Sequence, residues 1–166
     1  MIKASKLSAA VAHAAVVGTL LITVPAGAAE LVKNGGMNGS ANWWWTEATT
    51  KGAVENGQLC ADVPAGTVNP WDVILGQNDI SLQQGQQYKL SFKASGDPSG
   101  PVRAIVGLQV PPYTTYFELK RTAPPGGKSF SGTFTSPVTL SNAQVAFQVG
   151  GASKPWKFCV DNVSLQ

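Results

Sequence analysis

One histidine, His13, and two cysteines, Cys60 and Cys159, are the chain's whole supply of imidazole and thiol in 166 residues. His13 falls in a stretch that reads as a leader. The remainder therefore has no Ser-His-Asp or Cys-His catalysis and none of the commonest zinc sites. Charge is also scarce, at 13% of residues, with 12 basic against 9 acidic. The basic residues are scattered, whereas a nucleic-acid partner would call for a basic cluster. Losing Lys3 and Lys6 with the leader brings the net charge from +3 to near +1. A sustained helical period is missing throughout, and past residue 29 no long apolar run occurs. The processed chain is expected to be a soluble monomer with no membrane partner.

What is present begins with that leader. Lys3 and Lys6 form a positive start, and Ala14 to Val24 is an apolar run shorter than a bilayer-spanning helix requires. Ala26-Gly27-Ala28 supplies the small residues a signal peptidase reads, so cleavage is expected after Ala28, with Ala29 as the close rival. An uncleaved anchor is the alternative. Residues 1–28 are thus a signal peptide, and 29–166 form one secreted domain large enough to bury its own core. Two cysteines in an exported chain pair as a rule, closing a loop for which chain entropy gives about 4–5 kcal/mol at the upper end. Two separately buried thiols are the alternative.

Gly, Pro, Ser, Thr and Asn punctuate the chain between short alternating segments, the pattern of strands and turns. Tyr88, Leu90, Phe92 and Ala94 alternate with polar residues and should face inward. Further strands are expected over Trp43 to Glu47, Gln58 to Val63, Trp71 to Ile80, Val102 to Gln109, Tyr116 to Arg121, Lys128 to Thr135, Ala143 to Val149 and Trp156 to Leu165. Nine or ten strands without a significant helix imply an all-β fold, an antiparallel two-sheet sandwich of jelly-roll type.

Alternation also sorts the polar residues. Ala143, Val145, Phe147 and Val149 take one face, leaving Gln144 and Gln148 on the other, about 13–14 Å apart. Arg103 and Gln109 share the face opposite Val102, Ala104, Val106 and Leu108. Amides and a guanidinium match sugar hydroxyls, and aromatic rings cover the apolar faces of pyranose rings. A plain solvated outer face is the competing reading. Trp43-Trp44-Trp45 sharpens the question, because alternation must turn one indole away from the other two. No two carboxylates share a strand face ringed by aromatics, as a glycosidase pair would.

The run Leu59-Cys60-Ala61-Asp62-Val63-Pro64-Ala65-Gly66-Thr67-Val68-Asn69-Pro70-Trp71-Asp72-Val73-Ile74-Leu75-Gly76-Gln77-Asn78 resembles the core signature of family 4 carbohydrate-binding modules, the cellulose-binding modules of bacterial endoglucanases. The likeness continues through Gly85 to Ala94, Val102-Arg103-Ala104, Ala143 to Gly151 and Pro155 to Leu165. It implies a jelly roll that binds a single glucan chain in a groove, without catalysis. By position, Arg103, Gln144 and Gln148 match groove residues that bond sugar hydroxyls, and Tyr113 matches a stacking aromatic. Gln109 and Gln77 fall at or near groove amides. Trp43 matches a core residue, so Trp44 has the stacking parity. Trp45 returns to the side of Trp43 unless a bulge intervenes, in which case it too is a candidate. Trp71 and Tyr116 add aromatic area, whereas Trp156 is expected against the disulfide. The resemblance pairs Cys60 with Cys159. It also implies a structural calcium held by Asp161 and carbonyls near Gly36 and Gly57. The expected ligand is a β-glucan; a small secreted hydrolase and a cell-wall anchoring protein are the alternatives.

Overall fold

The computed structural model describes residues 29–166. The expected signal peptide, residues 1–28, lies outside them. Ten strands are divided between two sheets: β1 Trp44–Trp45, β2 Gly52–Glu55, β3 Gln58–Val63, β4 Ile74–Leu82, β5 Gln87–Asp97, β6 Gly100–Leu108, β7 Thr115–Ala123, β8 Lys128–Thr135, β9 Leu140–Gln148 and β10 Trp156–Leu165. One sheet runs β1-β4-β9-β6-β7 and the other β2-β3-β10-β5-β8. Their pairings are all antiparallel. The sandwich expected from the alternation is the fold. Among the described residues no helix is long and apolar enough to cross a membrane.

β2 is a strand that alternation did not single out. Its hairpin to β3 turns at Asn56-Gly57, both left-handed at φ 50° and 74°, the backbone that a tight two-residue hairpin needs. Trp71 lies in a short 3-10 turn, Pro70–Asp72, and not in the strand expected to start there. The Asp72 carboxylate stops the strand by accepting the backbone N–H groups of Val68 and Asn69, each at 2.9 Å.

The core lies between the sheets and centres on Phe147. Its ring meets Phe92 edge-on at 4.9 Å, Phe158 at 6.1 Å and Trp43 at 6.2 Å. Tyr88, Leu90, Phe92 and Ala94 are all buried, as their alternation requires. Cys60 and Cys159 are cross-strand partners on β3 and β10 and form the disulfide. Trp156 does not pack on it. Trp156 lies three positions before Cys159, an odd offset, so the two side chains leave β10 on opposite faces. Trp156 instead turns inward over Gly100, where an added Cβ would stand 2.4 Å from the indole. Its Nε1 is a buried donor without a partner.

Candidate functional site

The outer face of the first sheet carries the site. Side chains of one parity form rows across the strands, because antiparallel partners point to the same side. One row runs Ile74, Gln148, Arg103 and Lys120 across β4, β9, β6 and β7. The next runs Trp44, Gly76, Ala146, Ile105 and Glu118 from β1 to β7. A third sets Gln144 beside Gly107 and Thr115. Over these rows lies an open cavity of about 690 Å³, lined by Trp44, Trp71, Arg103, Gln109, Tyr113, Gln144 and Gln148. Seven residues scattered over more than a hundred positions of sequence therefore meet on one surface.

The aromatics stand at its margins. Trp71 is 53% exposed and Tyr113 59%, large apolar surfaces left in water. Tyr113 sits in the loop after β6 with φ at 54°, a left-handed backbone that a bulky residue adopts only where its surroundings impose it. Trp44 rests over Gly76 and donates its Nε1 to Asn78 Oδ1 at 3.0 Å.

The polar floor is buried rather than solvated. Gln144 and Gln148 are each 8% exposed, which sets aside the plain outer-face reading. Gln144 donates one Nε2 hydrogen to the Leu108 carbonyl at 3.1 Å, which leaves its oxygen and its second N–H for a ligand. Gln148 accepts from Arg103 through Oε1, and its amide N–H groups are left as donors. Arg103 also bonds Glu118, whose other oxygen accepts from Lys120 at 2.9 Å. The Lys120 ammonium first and then the Arg103 guanidinium hold the Glu118 carboxyl below its ordinary value of 4.5. Asp72 is likewise lowered, by the backbone N–H groups of Asn69 and Val68.

Four residues expected at the groove sit elsewhere or act differently. Gln77 is 3% exposed and faces away from the cavity. Its amide bonds both backbone groups of Lys33, at 2.7 Å each, and ties the N-terminal segment to β4. Parity explains this: Ile74, Gly76 and Asn78 take the groove side of β4, so Gln77 cannot. Trp45 packs against the core side under Gly52, where an added Cβ would stand 2.4 Å from its ring. No bulge turns it outward. Gln109 does line the cavity, but both its amide atoms engage Asp79, at 2.8 and 3.1 Å. It is a brace for the β4 segment that carries Asn78. Tyr116 packs partly on the core at the irregularity where β6 and β7 shift register.

Sequence reasoning missed Asn78, Ile74 and Ile105 among the lining residues. The parity of Gly76 and of Arg103 would have found all three. The segments carrying Asp161, Gly36 and Gly57 converge on one corner of the second sheet. Val160 pairs with Leu59 just before both chains reach that corner, and Val163 N–H bonds the Gly35 carbonyl at 2.9 Å. Asp161 Oδ1 accepts from Asn162 N–H at 2.6 Å. No cluster of three or more His, Cys, Asp or Glu exists among the described residues. One carboxylate with backbone carbonyls is an all-oxygen set, which fits calcium and not zinc.

Known proteins resemble this chain in sequence and fold. A family model described as a carbohydrate binding domain, CBM_4_9, matches residues 29–155. Endoglucanase C of Cellulomonas fimi is 36% identical over 130 residues, 74% of this chain and 12% of the relative's length. The solved second N-terminal cellulose-binding domain of β-1,4-glucanase C from Cellulomonas fimi is 32% identical, with a TM-score of 0.69 over 86% of this chain and 96% of that domain. A solved structure described as "CBM4 structure and function" gives a TM-score of 0.71 at 29% identity, over 77% of this chain and 96% of that one. Fold, family match and relatives agree: the chain belongs to family 4 of the carbohydrate-binding modules.

Proposed function

We propose that this module is secreted and binds single β-glucan chains in the open groove, without catalysing their hydrolysis. The observation that carries the reading is the groove itself, where half-buried Trp44 and exposed Trp71 and Tyr113 surround a polar floor of buried Gln144 and Gln148 and half-buried Arg103. Rings of that kind cover the apolar faces of sugars, while a carbonyl oxygen, amide N–H groups and a guanidinium meet the hydroxyls. An open groove leaves the chain partly hydrated, so affinity is modest. The names of the relatives support a glucan ligand, since two of them are a glucanase and its cellulose-binding domain.

The carboxylates support a binding role. A glycosidase acid must hold its proton near neutral pH, which requires a raised pKa. Asp72 and Glu118 are both shifted downward. Secretion is supported by the leader pattern and by the disulfide, a bond of oxidising compartments. Calcium held by Asp161 and the carbonyls of Gly36 and Gly57 would cross-link the N-terminal segment, the β2–β3 turn and β10. A melting temperature that calcium and chelator leave unmoved would remove that part of the reading.

Affinity electrophoresis in gels containing barley glucan, hydroxyethylcellulose, laminarin or xylan tests the function. Retardation by at least one β-glucan is expected. Unchanged mobility in all four would overturn the proposal.

A further inference from the structure

The two ends of the groove differ in charge. At the end near Asn78, Gln109 braces Asp79, and no cation lines the cavity there. At the other end, Arg103 and Gln148 line the main groove and also a second cavity of about 310 Å³. Lys120 and Arg121 also line it, beside Val68, Pro70, Pro101 and Gly150. Arg103 and Lys120 both engage the one carboxylate there, Glu118, while Arg121, of opposite parity on edge strand β7, adds a third cation to the cavity wall. Arg121 makes no ion pair among the described residues and spends one N–H on the Lys120 carbonyl at 2.7 Å. Charged residues on an outermost strand commonly guard against edge-to-edge pairing, and that would account for Lys120 and Arg121 on β7. It does not account for Arg103, which lies on β6, one strand further in, with a side chain only 21% exposed.

We infer that the glycan groove continues past Arg103 and Gln148 into this cavity, and that the extension takes a sugar bearing a carboxylate, a uronic acid unit of the bound polysaccharide. A guanidinium presents paired N–H donors that fit a carboxylate, and an ammonium adds a point charge. The inference rests on the glucan-binding reading above, and the test separates the two. Barley glucan lightly oxidised at C6 carries glucuronic acid units on an unchanged backbone. Its affinity is compared by calorimetry with that of untreated glucan, at about 0.01 M and about 1 M salt, where the Debye length is about 30 Å and about 3 Å.

At low salt the oxidised polymer should bind about threefold to tenfold more tightly, the range of one or two exposed charge pairs. The gain should vanish at high salt. It should also vanish in Arg121→Gln, with affinity for untreated glucan unchanged, and survive in Lys89→Gln on the second sheet. Oxidised glucan bound no better than untreated would overturn the inference, and so would a gain that Arg121→Gln leaves intact or that Lys89→Gln lowers equally. If untreated glucan itself is not bound, the reading on which the inference rests has failed.

Discussion

The indole of Trp44 rests over Gly76, its cross-strand partner on β4. A Cβ added at Gly76 would stand 2.7 Å from Trp44 Cζ2 and 3.1 Å from the Val145 carbonyl oxygen. The missing side chain is what lets the ring settle onto the sheet and reach Asn78 with its N–H. Its neighbour Trp43 points the other way and stacks on Phe147 in the core. Adjacent positions thus send their indoles to opposite duties.

Trp44→Ala should weaken glucan binding about fivefold to thirtyfold, roughly 1–2 kcal/mol for one stacking ring, with little change in melting temperature. Gly76→Ala should weaken it less, by lifting the ring. Trp43→Ala should do the reverse and cost about 3–5 kcal/mol of stability. Glucan titrations beside thermal melts check all three, and equal effects from the two tryptophans would contradict the assignment.

Gln77→Ala removes both bonds that hold Lys33. The expected loss is about 1–3 kcal/mol of stability, through freed backbone groups, with glucan affinity retained once the protein is folded. A fall in affinity at unchanged stability would return Gln77 to the groove.

Glu118 has a folded pKa below its ordinary value of 4.5, because Lys120 and Arg103 stabilise its charge. A lowered pKa means that the Arg103–Glu118 contact persists above 4.5 and is lost as pH falls through the lower folded value. Glucan affinity should therefore stay level from neutral pH to 4.5 and decline only below it. Glu118→Gln should remove that decline. A steep loss already between about pH 7 and pH 5 would point to another group.

Reduction of Cys60–Cys159 opens a link across 99 residues of sequence. Stability should fall by up to about 4–5 kcal/mol, while whatever remains folded binds glucan as before, since the bond lies on the second sheet. Chemical denaturation with and without reductant, read beside glucan titration, measures both.

Much of this was legible before any coordinates. Alternation in β9 put Ala143, Val145, Phe147 and Val149 inside and Gln144 and Gln148 on the groove, and alternation in β6 did the same for Arg103. The parity argument also separated Trp43 from Trp44. Local errors came where alternation breaks or was not applied: Trp71 entered a turn, Tyr116 met a register shift, and Gln77 was placed on the face its parity forbids.

By itself the sequence determined which side chains could share a face, because the two-residue period of a strand is a property of the covalent backbone. Tertiary structure alone decided which faces meet and which polar atoms remain free. Strand register put Arg103 beside Gln148 and Lys120. Asp79 took both amide atoms of Gln109, and the loop after β6 carried Tyr113 to the cavity's rim. Those outcomes depend on pairings between segments far apart in the chain, which no local period encodes.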